Sequence, residues 1–249
     1  MPELVELRRD GDLCVLTLSR EHKRNAISHQ GERELCAALA SPEVRESACV
    51  VVTGGPRVFS AGADLNELRG LDPAAIVSYY EATGDFAERF ADLPQPTFAA
   101  ISGYCLGGGL ELALAADFRI AEESAVFGLP EIGLGILPSS GGTHRLVRLL
   151  GPARAKELIL LHERVSAREA HRLGLVTEVV GDGEGLERAI AHAERLARLP
   201  ALAVRVTGRA IDSMAEASRA AGLELERLAY GLLAQTGEAD AATAARLER

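Results

Sequence analysis

The stretch Gly103-Tyr104-Cys105-Leu106-Gly107-Gly108-Gly109-Leu110-Glu111 is the part of the sequence that says most about the fold. It follows the apolar run Thr97 to Ser102, which predicts a strand, and it leads into a predicted helix through Ala116. Small residues let a backbone approach a ligand closely, and the start of a helix offers unpaired N–H groups. Tight helix packing explains such a turn equally well, and the G-x-G-x-x-G spacing of a dinucleotide fold is absent.

A second turn of the same kind is Phe59-Ser60-Ala61-Gly62-Ala63-Asp64-Leu65. The run before it, Ala48 to Thr53, is apolar on both faces, which is typical of a central strand covered on both sides. Two small-residue turns that face one another are able to hold an oxyanion as it develops on a substrate.

Two acidic residues stand alone among apolar and small neighbours. Glu111 lies one turn into the predicted helix, and Glu131 lies in Gly128-Leu129-Pro130-Glu131-Ile132-Gly133. Carboxylates are rarely buried without a partner or a task, and a structural salt bridge is the simplest explanation for each. If the fold brings both into one apolar pocket, their pKa values separate, as an acid/base pair requires.

The rest of the chain predicts an α/β core followed by helices. Strand–turn–helix units fill the first two thirds, and from Gly181 the pattern is helical to Arg249, with a break at Leu199-Pro200. We therefore expect a core over residues 1–190 and a helical region over 191–249 that packs on the core or on a neighbouring subunit. Other predicted elements are a hairpin turn at Gly11-Asp12, a strand at Leu13 to Leu18, and helices at Asn25 to Ala40, Asp72 to about Ala91, Gly142 to Leu150 and Pro152 to Leu161.

Composition limits the classes of function. Apolar residues make up 47 % of 249 residues, enough for one large domain, and the formal charge of −9 argues against a nucleic-acid partner. The cysteines show no C-x-x-C pair and indicate small buried thiols in a reducing compartment. With no signal-like segment after Met1 and no apolar run long enough for a bilayer, we expect a cytoplasmic protein without a membrane partner.

Five blocks follow one another along the chain: Asn25-Ala26-Ile27, Val51 to Leu65, Gly103 to Asp117, Phe127 to Gly135 and Pro138 to Arg145. Taken together, they resemble the crotonase (enoyl-CoA hydratase/isomerase) family in order and spacing, and the similarity runs from about Leu4 to Val180. It implies an α/β fold in which repeated ββα units form a spiral. It also implies C-terminal helices at a trimer interface, in a homotrimer or a dimer of trimers.

The resemblance also implies roles for individual residues. Ala63 and Gly108 match the two backbone N–H donors to the thioester oxygen, and Glu111 and Glu131 match the two acids of the family's hydratases. Having both acids favours hydration of a trans-2-enoyl-CoA to a 3-hydroxyacyl-CoA, in which Glu111 activates water and Glu131 protonates C2. This chemistry needs no metal or organic cofactor, since coenzyme A is part of the substrate. The residues expected to contact the acyl-CoA are Lys23, Arg24, Ala61, Asp64, Leu65, Tyr104, Gly107 and Ser139.

Some positions depart from the family pattern. Ser139 stands where hydratases often have glycine near the catalytic water, so its hydroxyl adds to that site or shifts the water. Asn66 replaces a lysine that often helps to hold coenzyme A, and the ending from Tyr230 to Arg249 matches poorly. Phosphate contacts therefore fall to Lys23 and Arg24, which are otherwise ordinary surface cations.

Two other functions remain open at the level of sequence. One is another reaction of the family, chiefly isomerisation of a double bond between C3 and C2, for which one carboxylate suffices. The other is a weakly catalytic subunit that binds acyl-CoA. The acyl pocket is expected along Arg69 to Asp92, where Tyr79-Tyr80 and Phe86 limit its depth or pack. His144 is interpreted as a packing or capping residue, and neither a metal motif nor an activated serine is evident.

Overall fold

The computed structural model describes residues 3–69, 72, 74, 85–161 and 164–247. This part of the chain forms nine β-strands. They are β1 Val5–Asp10, β2 Leu13–Leu18, β3 Cys49–Thr53, β4 Thr97–Ile101, β5 Tyr104–Leu106, β6 Phe118–Glu122, β7 Val126–Gly128, β8 Val165–Ser166 and β9 Glu178–Val180.

The same residues form eleven α-helices and two 3₁₀ segments, Glu21–Lys23 and Pro130–Leu134. The helices are α1 His29–Leu39, α2 Pro42–Arg45, α3 Leu65–Leu68, α4 Phe86–Ala91, α5 Gly108–Ala115, α6 Gly142–Leu160, α7 Ala167–Leu173, α8 Gly185–Ala197, α9 Ala201–Met214, α10 Arg219–Leu233 and α11 Gly237–Leu247.

The larger sheet has the strand order β1-β2-β3-β4-β6-β9. β1 and β2 form the antiparallel hairpin predicted at Gly11-Asp12, and the other neighbours pair in parallel. The central strand β3 is buried along its whole length. Val50 and Val52 belong to the larger apolar cluster, whereas Cys49 and Val51 belong to a second cluster on the other face, which confirms a strand covered on both sides.

A second sheet, β5-β7-β8, receives the chain directly from β4. The change of direction occurs at Gly103, which has a φ of 52° and where a Cβ would overlap the carbonyl oxygen of Arg57. Glycine is required there because other residues are strained at this φ and would clash with the neighbouring backbone. This short link carries the chain from one sheet to the other and delivers Gly107 and α5 beside the second sheet.

The helix predicted from Asn25 begins later, at His29. Arg24 and Asn25 have φ values of 53° and 51°, outside the helical region, and Ser28 caps α1 by accepting a hydrogen bond from Gly31 N. Elsewhere the predicted boundaries hold more closely. α6 contains the non-helical Gly151 between the two helices predicted there. The helix expected from Asp72 lies mostly outside the described residues, as do Tyr79 and Tyr80.

The helices after the sheet fall into two groups. α8 packs on β3, β4 and β6, with Ala189 and Ala193 in the second apolar cluster. α9 and α10 pack on each other and expose large apolar side chains, including Ile211, Leu228, Tyr230 and Leu232. A division between residues 190 and 191 stays a prediction. Within the described ranges no helix has the length and apolar character needed to cross a membrane.

Candidate active site

Glu111 is held at the start of a buried helix. Gly107 precedes α5 with φ 53° and ψ −130°, a conformation open to glycine, and Glu111 follows one turn later with 3 % of its surface exposed. Its Oε1 accepts hydrogen bonds from the backbone N–H of Ser140, at 2.7 Å, and of Gly142, at 2.9 Å. The loop from Pro138 to Gly142 therefore holds this carboxylate by two donors.

Opposing effects act on the ionisation of Glu111. Burial raises the pKa of this carboxyl above its usual value, because the charged form loses hydration. The hydrogen bonds from Gly142 and Ser140, and the positive charge of Arg145, act in the other direction by stabilising the carboxylate. The sequence indicated the lone acid but not these two backbone donors; the Gly141-Gly142 pair was the one signal for a close approach of this loop.

Glu131 occupies a different setting, in the 3₁₀ segment Pro130–Leu134. Its Oε2 is buried and has no hydrogen-bond partner among the described residues. Burial, followed by the negative charge of Glu111, raises the pKa of Glu131 to about 7, although its own backbone N–H lowers it. Near neutral pH this carboxyl is therefore available in both the protonated and the ionised form.

The two carboxylates flank consecutive glycines. A Cβ placed on Gly107 would lie 3.0 Å from Glu131 Oε1, and a Cβ placed on Gly108 would lie 4.0 Å from Glu111 Oε2. The fold thus brings together two acids that are far apart in the sequence. Both oxygens border the backbone at the start of α5, where unpaired N–H groups are expected.

Ala63 and Gly108 also come together. A Cβ on Gly108 would lie 3.7 Å from Ala63 N, and a Cβ on Gly62 would lie 3.3 Å from Gly108 N. Within the described part of the chain, neither N–H donates to a backbone carbonyl. Two free donors on adjacent turns, beside two carboxylates, have the arrangement that stabilises a developing oxyanion.

The turn that carries Ala63 is fixed by contacts with the chain around Asn25. Ile27 N donates to Gly62 O, and Asp64 N donates to Ile27 O, both at 2.8 Å. Asn25 Nδ2 donates to the carbonyl oxygens of Gly54, Val58 and Phe59 at 2.7–3.2 Å. The sequence placed Asn25 within a family block but did not indicate this bracing role.

Asp64 holds the other end of the turn rather than facing solvent. Its Oδ2 pairs with Arg20 Nη1 at 2.7 Å, and its Oδ1 accepts from the backbone N–H of Asn66 at 3.1 Å, which caps α3. The hydrogen bond from Arg20 keeps the pKa of this carboxyl below its usual range. Asp64 is therefore an ionised brace behind the Ala63 amide.

The remaining predicted contact residues are spread around the site. A depression of about 610 Å³ is lined by Glu21, His22, Arg24, Arg57, Val58 and Tyr104. The guanidinium carbons of Arg24 and of Arg164 each lie 5.9 Å from the centre of the Tyr104 ring. Lys23 is exposed but does not line the depression, and Leu65 and Ser139 are exposed elsewhere; Ala61 is half-buried. Arg57 and Arg164 were not predicted.

Other candidates have a structural role or none. Phe86 is buried in the larger apolar cluster, so it packs. His144 is exposed at the start of α6. Across the described residues no group of three His, Cys, Asp or Glu side chains is placed to hold a metal ion. The four cysteines are free thiols, and Cys14, Cys49 and Cys105 are buried.

Two sheets joined through Gly103, with the amides of Ala63 and Gly108 close together and a carboxylate beside each of Gly107 and Gly108, mark an α/β protein of the crotonase class. Comparison with known proteins agrees. Residues 8–248 match the family described as enoyl-CoA hydratase/isomerase. The chain belongs to this family, which confirms the predicted enzyme family.

Relatives from several sources cover nearly the whole chain. A probable mitochondrial enoyl-CoA hydratase 2 of Arabidopsis thaliana is 42 % identical, over 94 % of this chain and 80 % of the plant protein. The 2,3-dehydroadipyl-CoA hydratase of Escherichia coli is 38 % identical, over 100 % of this chain and 97 % of its own length. The crystal structure of an enoyl-CoA hydratase from Bacillus anthracis superposes with a TM-score of 0.90 at 37 % identity, covering 99 % of this chain and 97 % of that one. These likenesses confirm the predicted crotonase-like fold.

Proposed function

We propose that this enzyme adds water to a trans-2-enoyl-CoA and forms a 3-hydroxyacyl-CoA. The observation that carries the proposal is the pair of dissimilar carboxylates: Glu131 lies beside Gly107 and Glu111 beside Gly108, and the amide of Ala63 is close to Gly108. Hydration of a conjugated thioester needs these three functions together: a base for water, an acid for carbon and a site for negative charge.

In the proposed reaction the thioester oxygen binds between the N–H groups of Ala63 and Gly108. Water attacks C3 while Glu111 takes its proton, and the electrons of the C2=C3 bond move through C2 to the thioester oxygen. Glu131 then gives its proton to C2 as the carbonyl re-forms. The product gains one water, and the two glutamates exchange protons with solvent to regain their starting states.

The division of roles follows from the hydrogen bonds. Glu111 accepts two backbone N–H bonds, which favour the ionised form that a base requires. Glu131 leaves a buried oxygen without a partner among the described residues, and its pKa of about 7 keeps a proton available near neutral pH. Environment thus assigns the acid and the base to chemically identical side chains.

Coenzyme A would occupy the surface beside Tyr104. Arg24 and Arg57 line the depression there, and the planar Tyr104 ring offers a face for stacking. Arg57 is paired with Glu21, so the positive charge for coenzyme A comes from Arg24 and Arg164 beside the ring. These two arginines would replace the lysine that relatives often have at the position of Asn66. Ser139 would lie near the attacking water, and the exposed apolar faces of α9 and α10 would meet in a homotrimer or a dimer of trimers. The enzyme would work in the cytoplasm, with no cofactor and no nucleic-acid or membrane partner.

Isomerisation of a 3-enoyl-CoA is the second candidate. The specific observation in its favour is the asymmetry of the site, because Glu131 alone combines an unpaired buried oxygen with a near-neutral pKa. One such carboxyl is able to remove a proton from C2 and return it to C4.

The test is the ultraviolet absorbance of a short 2-enoyl-CoA after addition of pure enzyme. Hydration predicts rapid loss of the conjugated-thioester band, and Glu111→Gln should slow this loss by about 10²-fold or more while the variant still folds and binds the thioester. An isomerase would instead create the band from 3-enoyl-CoA and depend strongly on one glutamate. Thioester binding without turnover of either compound would leave only an acyl-CoA-binding role.

A further inference from the structure

Arg145 contacts the loop that holds Glu111 from the opposite side. Its Nη1 donates to Ser140 O at 3.1 Å, while Ser140 N donates to Glu111 Oε1 at 2.7 Å. The backbone N–H and C=O of one residue, Ser140, thus connect the carboxylate of Glu111 to the guanidinium of Arg145. Only 16 % of the Arg145 side chain is exposed, so the contact is largely shielded from water.

The loop fits closely between these two side chains. Gly141 has a φ of 89°, and a Cβ there would overlap Arg145 Nη1. A Cβ on Gly142 would lie 2.7 Å from Glu111 Cγ and 2.8 Å from its Oε1. Gly141 is required by its φ and Gly142 by its contact with Glu111, so the loop lies between Arg145 on one side and Glu111 on the other.

Glu88 fixes the far end of Arg145. Its Oε1 lies 2.9 Å from Arg145 Nη2. Glu88 is on α4, whose Phe86 and Phe90 are buried in the larger apolar cluster, and α4 packs against α5. The chain of contacts from Glu88 through Arg145 and Ser140 to Glu111 therefore ties α4, α6 and α5 together around the base.

We propose that Arg145, anchored by Glu88, is a positioning residue that holds the Ser140–Gly142 loop around Glu111 and places a positive charge behind this carboxylate for its reaction with water. The catalytic part of this inference rests on the proposed hydration. The electrostatic part concerns Glu111 itself and holds whichever reaction of the family the enzyme performs.

The direction of the charge effect follows from the groups around Glu111. Among the described residues these are Glu131 from the 3₁₀ segment and Arg145 from α6, with Glu88 behind Arg145 on α4. The positive charge of Arg145 lowers the pKa of Glu111 against the effect of burial. Removing that charge should therefore raise the pKa of Glu111 and move the acid limb of the rate profile to higher pH.

The experiment compares Arg145→Met, which removes the charge, with Arg145→Lys, which keeps it but cannot hold Ser140 O and Glu88 together. Arg154→Met is the matched control, since Arg154 is an exposed arginine on the same helix paired with Glu157. The titration of Glu111 is followed by carboxyl ¹³C NMR in glutamate-labelled protein, with Glu111→Gln to assign the signal. kcat and KM are measured against pH in parallel.

We expect Arg145→Met to move the Glu111 titration to higher pH and to lower kcat about 10-fold or more, with KM within about 2-fold. Arg145→Lys should keep the titration near that of the wild type and recover part of kcat, and Arg154→Met should change neither. If Arg145→Met does not fold, Arg145→Gln takes its place.

An unchanged Glu111 titration in folded Arg145→Met would overturn the inference, even if kcat falls, because the charge of Arg145 would then not act on Glu111. Equal displacement of the titration by Arg154→Met would also overturn it. If the wild type does not hydrate enoyl-CoA, the proposed function fails, and the NMR titration still decides the role of Arg145.

Discussion

Glu111 and Glu131 are the same side chain placed in two contrasting parts of the molecule. In α5 every residue from Gly109 to Ala115 is buried, whereas none in the segment Pro130–Leu134 is. Glu111 is enclosed by a loop that donates two N–H groups to one oxygen. Glu131 turns a buried, unpaired oxygen inward from a segment whose Ile132 and Leu134 are exposed.

The difference shows that burial alone does not assign a catalytic role. Burial raises the pKa of both carboxyls. The backbone donors offset this effect at Glu111, and the charge of Glu111 reinforces it at Glu131, where the pKa reaches about 7. The two carboxyls differ chiefly in the supply of N–H donors, because the loop after Pro138 donates to Glu111 and not to Glu131, and the proposed roles of base and acid rest on this difference.

The largest expected effect is the loss of either carboxylate. Glu111→Gln and Glu131→Gln should each lower kcat by about 10²–10⁴. The residual rate of Glu111→Gln should fall as the pH rises, because Glu131 loses the proton it donates; the midpoint should lie below the wild-type pKa of about 7, since the charge of Glu111 no longer raises it. Glu131→Gln should lack that dependence. Stopped-flow absorbance over pH 5 to 9, with circular dichroism as a check on folding, measures both.

If both glutamine variants keep substantial hydration activity, neither glutamate is the catalytic acid or base. If the two residual pH profiles are interchanged, the pair is catalytic but its roles are reversed. The predicted assignment holds only if the residual rate falls with rising pH in Glu111→Gln and does not in Glu131→Gln.

The next effect concerns the donors at Glu111. Gly142→Ala places a methyl group 2.7 Å from Glu111 Cγ, so the carboxylate or the loop must move. We expect kcat to fall about 10²-fold, since a displacement of about 1 Å at a reacting group has that effect. Gly208→Ala is the control, because nothing lies within 4 Å of a Cβ there and the residue is within α9. Near-normal turnover by Gly142→Ala would show that the loop does not position Glu111.

A third prediction concerns the stability of the fold, which ionisation of Glu131 lowers. A carboxyl whose pKa is raised in the folded state does not lower the free energy of unfolding below its unfolded pKa of about 4.3, because it is protonated in both states. Between that pH and about 7 the unfolded chain ionises first, so the folded state loses stability as the pH rises. Removing the carboxyl in Glu131→Gln should therefore raise the melting temperature over wild type at pH 8 and not at pH 4.

The expected difference in the free energy of unfolding between Glu131→Gln and wild type at pH 8 is about 1–3 kcal/mol, after allowing for the partial exposure of the residue. Glu187→Gln, an exposed change on α8, is the control and should show no such dependence. A difference that is constant from pH 4 to pH 8 would mean that Glu131 ionises normally in the folded protein.

The sequence predicted those parts of the site that depend on local pattern. The apolar run of β3 predicted a central strand, and the glycines before Glu111 predicted a turn with free N–H groups, since chain geometry alone requires both. It did not predict that Asn25 would leave the helical region. Asn25 does so because its amide binds carbonyls from Gly54 to Phe59, which only the folded chain brings near.

For the same reason, the sequence of the loop after Pro138 indicates a place near the catalytic water but not a contact with Glu111. The donors at Ser140 and Gly142 point at Glu111 only because α6 returns the chain against α5. No local feature of Pro138 to Gly142 specifies that partner, and the contact of Arg145 with Glu88 depends on the same packing.

The smallest expected effect separates substrate binding from the two carboxylates. Arg24 lines the depression beside Tyr104, and its side chain is exposed, so Arg24→Ala should leave kcat unchanged. KM for an enoyl-CoA should rise about 10-fold, about 1.4 kcal/mol of binding free energy, because a phosphate contact is lost equally from substrate and transition state. Arg45→Ala, an exposed change on α2, is the control.

The sharper form of this test replaces coenzyme A by pantetheine, which carries the same thioester without the nucleotide. If Arg24 binds the nucleotide end, Arg24→Ala and wild type should have the same KM for the pantetheine substrate. A KM that rises equally for both thioesters would place Arg24 near the acyl group. If Arg24→Ala keeps its kcat and its KM rises only for the coenzyme A substrate, the glutamate pair acts on any thioester that the backbone donors hold. The surface around Tyr104 then selects the carrier of the thioester.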